Sequence, residues 1–121
     1  MEHVPSVRAY VEGWRLKAAD EQAEARRRRE QNVARMRPVA RMLAERFGIR
    51  RVVLFGSAAL GTDQLGSDVD LAVEGLAPAQ YFAAFHALEA ELGLELVDLV
   101  EIERAGHLLR AAIDRGIVLH G

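Results

Sequence analysis

The stretch Leu54-Phe55-Gly56-Ser57, followed after ten residues by Asp68-Val69-Asp70, decides how the rest of the chain is read. A strand ending in Gly-Ser presents backbone N–H groups and a hydroxyl at a turn, where they can cradle a phosphate. A nearby D-x-D can hold the metal that a phosphate carries. If residues 68–73 form a strand, Asp68 and Asp70 share one face about 6.6 Å apart, from a rise of roughly 3.3 Å per residue, while Val69, Leu71 and Val73 share the other. Two carboxylates converging to about 4 Å repel by about 4 kcal/mol at an effective dielectric of about 20, so such a site calls for a cation. Magnesium suits the donors, because a hard ion held by carboxylates and substrate phosphates needs neither histidine nor thiolate.

The chain has 121 residues, the length of one domain. Such a chain buries roughly two-thirds of its unfolded surface and can build a core without staples. It contains no cysteine, which rules out disulfides and thiolate metal sites and accords with a reducing compartment. The opening is polar and no run of apolar residues is long enough to span a bilayer, so a soluble cytoplasmic protein without a membrane partner is expected. Charge divides unevenly: residues 1–50 hold 12 Lys/Arg against 7 Asp/Glu, and residues 51–121 hold 4 against 11. An acidic second half argues against a polynucleotide substrate, because it would repel the phosphate backbone.

Outward from the opening stretch, Arg50–Phe55 is a continuous β-branched and aromatic run bounded by Gly48 and Gly56, hence a buried strand. A short helical turn is expected at Ser57–Leu60, then a loop over 57–67 rich in Gly, Ser, Thr and Asp. Upstream, Val7, Val11, Trp14 and Ala18 recur at helical spacing after a Ser6 N-cap, and Val33, Met36, Ala40, Leu43 and Phe47 form a second stripe ending at Gly48. Pro38 falls inside that stripe, so a break or kink is expected near Met36–Pro38, with a separate helix over 38–47. Arg26-Arg27-Arg28-Arg29 is either a phosphate or partner patch or a solvated helical face with Glu21, Glu24 and Glu30 as local partners; the second reading is preferred. Downstream, Pro78 opens a helix with core residues Phe82, Phe85, Leu88 and Leu92. Leu94–Ile102 reads as a strand, Arg104–Arg115 as a helix with Leu108, Leu109, Ala112 and Ile113 inward, and Ile117–Leu119 as a last short strand. The order defines a single α/β (α+β) domain.

Asp98 stands among Leu94, Leu96, Val100 and Ile102 on one face of its expected strand. A carboxylate buried there must be paired with a cation or held for chemistry. Gly56-Ser57, Asp68-x-Asp70 and the distal Asp98 together resemble the minimal nucleotidyltransferase family of the DNA polymerase β superfamily, over roughly Val39 to Gly121. The resemblance implies a nucleotidyltransferase fold, α/β (α+β) with a small mixed sheet flanked by helices, over residues 38–121. The long N-terminal helical extension over residues 1–37 is longer than the minimal family needs and is expected to mediate association. It further implies that Gly56 and Ser57 bind the nucleotide's β- and γ-phosphates. Asp68 and Asp70 would bridge two Mg²⁺ ions, and Asp98 would hold the ion that activates the acceptor oxygen.

By the same resemblance the activity is transfer of a nucleoside monophosphate, AMP from ATP, to a hydroxyl of a HEPN-domain protein, with this chain as antitoxin of a toxin–antitoxin pair. Family members commonly read Gly-Ser-Arg-Ala-Arg-Gly at the turn, whereas this chain reads Gly56-Ser57-Ala58-Ala59-Leu60-Gly61. Arg51, Arg104 or the Arg26–Arg29 run are the candidate substitutes for the missing cations. The alternative reading is a binding module of little or no activity that neutralises a partner by complex formation through its basic N-terminal helix, with a homo-oligomer through that helix as another form of association. RNA binding or RNA 3′-end transfer is a third. The four histidines show no metal-ligand spacing, and Trp14 reads as a packing or interface anchor.

Overall fold

The first helix, α1 (Val7–Phe47), starts where the Ser6 hydroxyl accepts from the Ala9 N–H at 3.1 Å and ends where Gly48, at φ 66°, turns its N–H onto the Ala44 carbonyl. These are the side-chain N-cap and left-handed C-cap that the sequence signals. At 41 residues α1 is roughly 60 Å long at 1.5 Å per residue. The computed structural model describes residues 6–63, 68–93 and 95–121.

The helix runs without a break through Pro38, contrary to the separate 38–47 helix expected from the sequence. Proline removes one hydrogen bond and crowds the preceding turn, at about 3 kcal/mol. Met36, Val39, Ala40 and Leu43 are buried on either side of it, and each large apolar side chain so buried returns about 1.5–3 kcal/mol. Pro38 itself faces solvent, so the ring meets no packed neighbour.

After α1 come β1 (Arg51–Phe55), the single turn α2 (Ser57–Leu60), β2 (Val69–Glu74), a 3₁₀ turn at Pro78–Gln80, α3 (Tyr81–Leu92) and β3 (Val97–Glu101). A second 3₁₀ turn at Ile102–Arg104, α4 (His107–Asp114) and β4 (Ile117–His120) close the chain. The sheet order is β3-β2-β1-β4, with β1 antiparallel to both neighbours and β2 parallel to β3. The β2–α3–β3 crossover supplies the helix that a parallel pair requires.

The continuous apolar run of β1 is explained by its two covered faces. Val52 and Leu54 join α1, α2 and α3 in the main core; Val53 and Phe55 join Ala72 and Ile113 in a smaller cluster under α4. β2 divides in the same way, with Val69, Leu71 and Val73 on the main-core side. On the two outer strands one carbonyl each is taken by a side chain: Tyr81 Oη donates to Leu99 O at 2.7 Å, and Arg37 Nη1 to Leu119 O at 3.4 Å.

Three expected core residues, Phe82, Leu108 and Leu109, are exposed. Phe82 is 73% exposed, and α3 instead buries Ala84, Ala87 and Leu88, whose small side chains let the helix sit close to the sheet, with Phe85 and Leu92 partly buried. Leu108 is 78% exposed because α4 begins only at His107, after the second 3₁₀ turn, and presents Ile113 to the sheet. β3 is shorter than expected; Leu94 lies outside the described residues, and Ile102 belongs to the turn.

If packing rather than propensity carries α1 through Pro38, then Pro38→Ala restores the missing bond without cost. It is expected to stabilise the protein by about 1–3 kcal/mol in chemical denaturation, with an unchanged m-value.

Candidate active site

The β1–β2 pairing places Phe55 opposite Asp70, so the turn that follows Phe55 lands against that carboxylate. Gly56 adopts φ 72°, ψ −153°, a region that essentially only glycine occupies. A Cβ at Gly56 would also collide with Asp70 Oδ2. The Gly-Ser pair therefore has a steric reason: the backbone must pass within touching distance of the acid. Ser57 follows as the first residue of α2.

Asp70 and Asp98 are register partners on adjacent parallel strands, which lie about 4.8 Å apart. Asp70 lies two residues before Ala72 on the α4 side of the sheet, and Asp98 two residues before Val100 on the same side. Asp68 immediately precedes β2 and is exposed. The Asp70 carboxyl is held above its ordinary value of 3.8, first by partial burial, then by Asp98, then by Asp68. Among the described residues, no three acidic, histidine or cysteine side chains stand ready to enclose an ion. The donors are nevertheless all hard oxygens, and a divalent cation would relieve the mutual repulsion that raises Asp70.

The reason given for Asp98 needs correction. Asp98 is exposed rather than buried among apolar residues, and Leu96, expected as its apolar neighbour, is 63% exposed. Leu99 is the buried residue of β3 and faces the other side. What singles out Asp98 is its pairing with a second carboxylate across the ladder.

Beside Asp98, a groove of about 530 Å³ runs along β3, lined by Tyr81, Phe82, Leu99, Arg104 and Leu109 among others. The Tyr81 hydroxyl is raised above its ordinary value by burial, then by Asp98 and Glu101. Of the candidate cations, Arg51 pairs with Glu74 at 3.8 Å, at the opposite end of β1 from Gly56. Arg104 pairs with Glu101 at 3.3 Å on the groove wall.

Among the described residues, one member of the arginine run is engaged at the turn: Arg28 Nε donates to Gly61 O at 2.9 Å. Asn32, buried on the same helix, donates through Nδ2 to Ala58 O at 3.0 Å and to Asp63 Oδ1 at 3.1 Å. Arg28 thus departs from the solvated-face reading of the run. Asn32 was not singled out; its sequence signal is a polar residue in line with Met36, Val39 and Leu43 on an apolar stripe. Of the two positions where the family commonly has arginine, Ala58 is buried under α1 and Leu60 is 61% exposed. Trp14 and Tyr10 lie exposed on α1, their rings edge to face at 6.2 Å.

A four-stranded mixed sheet with a Gly-Ser turn set against paired carboxylates defines a nucleotidyltransferase fold. The chain belongs to the polymerase beta nucleotidyltransferase family, whose model matches residues 38–121. It is similar to a toxin–antitoxin structure solved with AMP-PNP, at 27% identity and a TM-score of 0.60 over 69% of this chain and 70% of that one. It is similar to a mutant MntA-HpeT toxin–antitoxin at 25% identity and a TM-score of 0.61, covering 69% and 71%. A structure described as a minimal nucleotidyltransferase is 33% identical, with a TM-score of 0.57 over 67% of this chain and 85% of that one. No curated protein sequence matches the chain.

Gly56→Ala is expected to cost about 1–3 kcal/mol of stability, because it combines a forbidden backbone region with a clash on Asp70. Asp70 gives a second expectation. Its folded value exceeds its unfolded one, so its contribution to stability is complete below the unfolded value and is lost as pH rises through the folded one. The neutral isostere Asp70→Asn should therefore raise the melting temperature by a few degrees at pH 7 in chelator. That gain should shrink as pH is lowered toward 3.8.

Proposed function

We propose that the protein is an Mg²⁺-dependent nucleotidyltransferase that moves AMP from ATP to a hydroxyl of a partner protein, as the antitoxin of a HEPN/MNT toxin–antitoxin pair. The observation that carries this reading is the close approach of the Gly56 backbone to Asp70, whose carboxyl is raised by partial burial and then by Asp98 and Asp68. A backbone that needs glycine to approach an acid leaves N–H groups and carboxylate on one small surface, which is what a metal-bound triphosphate requires.

In the proposed reaction the acceptor oxygen bonds to the α-phosphorus, the bond from that phosphorus to the bridging oxygen breaks, and pyrophosphate leaves. Asp68 and Asp70 would hold two Mg²⁺ ions, which supply charge neutralisation and a lowered pKa for the acceptor hydroxyl. Asp98 is exposed beside Asp70, where it can orient the acceptor hydroxyl and receive its proton. Gly56 N–H and the Ser57 hydroxyl would receive the β- and γ-phosphates. Similarity to chains of toxin–antitoxin structures, one of them holding AMP-PNP, supports both the nucleotide and the biological role. Among the described residues no helix is long and apolar enough to cross a membrane, consistent with the proposed cytoplasmic location.

One observation favours a second reading, a binding module without transfer: the turn carries buried Ala58 and exposed Leu60 in place of two phosphate-facing arginines. Intact-mass spectrometry of the partner toxin, incubated with this protein, MgCl₂ and each NTP, separates the two. The transferase reading expects a metal-dependent gain of one or more nucleoside monophosphates, with Asp68→Asn or Asp70→Asn at least about 100-fold slower. An unmodified partner held in a stable complex that survives Asp70→Asn would establish the binding module instead.

A further inference from the structure

The turn after β1 is gripped by the N-terminal helix at three points, on successive turns of one face. Ala25 presses its carbonyl so closely on Gly61 that a Cβ there would overlap it. One turn on, Arg28 Nε bonds Gly61 O at 2.9 Å, and one turn further the buried Asn32 bonds Ala58 O at 3.0 Å and Asp63 Oδ1 at 3.1 Å. The spacing of three and four residues keeps all three on one side of α1. Gly61, at φ 76°, ends α2 and turns its own N–H onto Ser57 O. The helix thus holds both ends of a four-residue turn whose first member is Ser57. These gripping residues lie N-terminal to the family-matched segment 38–121.

We infer that Arg28 and Asn32 are positioning residues for the nucleotide site, fixing the Gly56–Gly61 turn in its phosphate-receiving conformation. The alternative supports for that turn are weak. A single helical turn is unstable on its own, since nucleation costs more than one hydrogen bond returns. Gly56 at one end and Gly61 at the other are the residues with the most conformational freedom to lose. Asn32 is also held in its own position: its Nδ2 donates to a carbonyl and a carboxylate at once. The long helix is on this view part of the site's frame as well as a means of association. The inference rests on the nucleotide reading of Gly56 and Ser57 given above.

The test is titration of the full-length protein with MgATP by calorimetry, followed by kinetics with the partner as acceptor. Arg28→Ala and Asn32→Ala are each expected to weaken MgATP binding by about tenfold, in the range seen when a supporting residue behind a ligand is removed. The loss should appear in KM for the nucleotide, with kcat held within about twofold, a split that general destabilisation does not produce. Arg28→Lys, which keeps a donor, should recover most of the affinity, and the neighbouring Arg27→Ala should bind as the wild type does. Arg28 is largely exposed, so its variants decide the matter even where Asn32→Ala folds poorly. Folded variants that bind MgATP like wild type, or Arg27→Ala losing as much as Arg28→Ala, would overturn the positioning role alone. Wild-type protein that binds no MgATP would overturn the nucleotide reading and the positioning role with it.

Discussion

Everything at the acidic end of the sheet follows from β1 being covered on both faces. A strand with α1 on one side and α4 on the other has no freedom to rotate or slip, since a one-residue shift would exchange Val52 and Leu54 with Val53 and Phe55 across two different cores. Its antiparallel register with β2 then fixes Phe55 against Asp70, and the parallel register of β2 with β3 fixes Asp70 against Asp98. The carboxylates are brought together by hydrophobic packing several residues away. The cost is concentrated on Asp70, half-buried among like charges. An apolar core that forces acids together raises the cost of their charge, which a proton or, on the proposed function, a bound cation relieves.

Much of this was legible in the residues. The unbroken run Arg50–Phe55 stated a doubly covered strand, the Ser57–Leu60 turn was readable to its exact bounds, and Gly56 with Asp68-x-Asp70 marked the loop between two strands. Helix caps at Ser6 and Gly48 were equally plain, because capping is local chemistry written in one or two residues. The errors share a cause, which is that local rules were asked about tertiary matters. Pro38 obeys its propensity only where packing does not oppose it. Phe82 and Leu108 have the composition of core but lie where their helices begin, past the edge of the surface they cover. Asp98 drew notice for a sound reason, a charge in an apolar run, yet the run was partly exposed and the decisive neighbour was Asp70 on another strand. Arg28 and Asn32 were invisible as a pair because their partners, Gly61 and Ala58, lie 33 and 26 residues along the chain.

The uneven charge of the chain also takes on spatial meaning. Basic residues concentrate on α1 and acidic residues on the sheet and its loops, and the two meet where Arg35 pairs with Glu95 before β3. Asp68, Asp70 and Asp98 lie where β1 ends and β2 and β3 begin, while the N-terminal half of α1 carries the exposed Val7, Tyr10, Val11 and Trp14. On the proposed function, chemistry falls to the acidic end of the sheet and association to the N-terminal half of α1, while Ala25, Arg28 and Asn32 near the middle of that helix touch the turn that begins with Ser57.

The bonds from Tyr81 to Leu99 O and from Arg37 to Leu119 O carry a different implication. A small open sheet offers two free borders, and each border is a template on which a foreign strand could extend the ladder. Here both outer strands are short, four and five residues, and each has a carbonyl already claimed by a side chain from a helix. On β3 the border also carries Asp98 and Glu101, so an incoming strand would have to displace a phenol and approach two carboxylates. Short strands, a claimed carbonyl on each and two carboxylates on β3 make both borders poorer templates for a foreign strand.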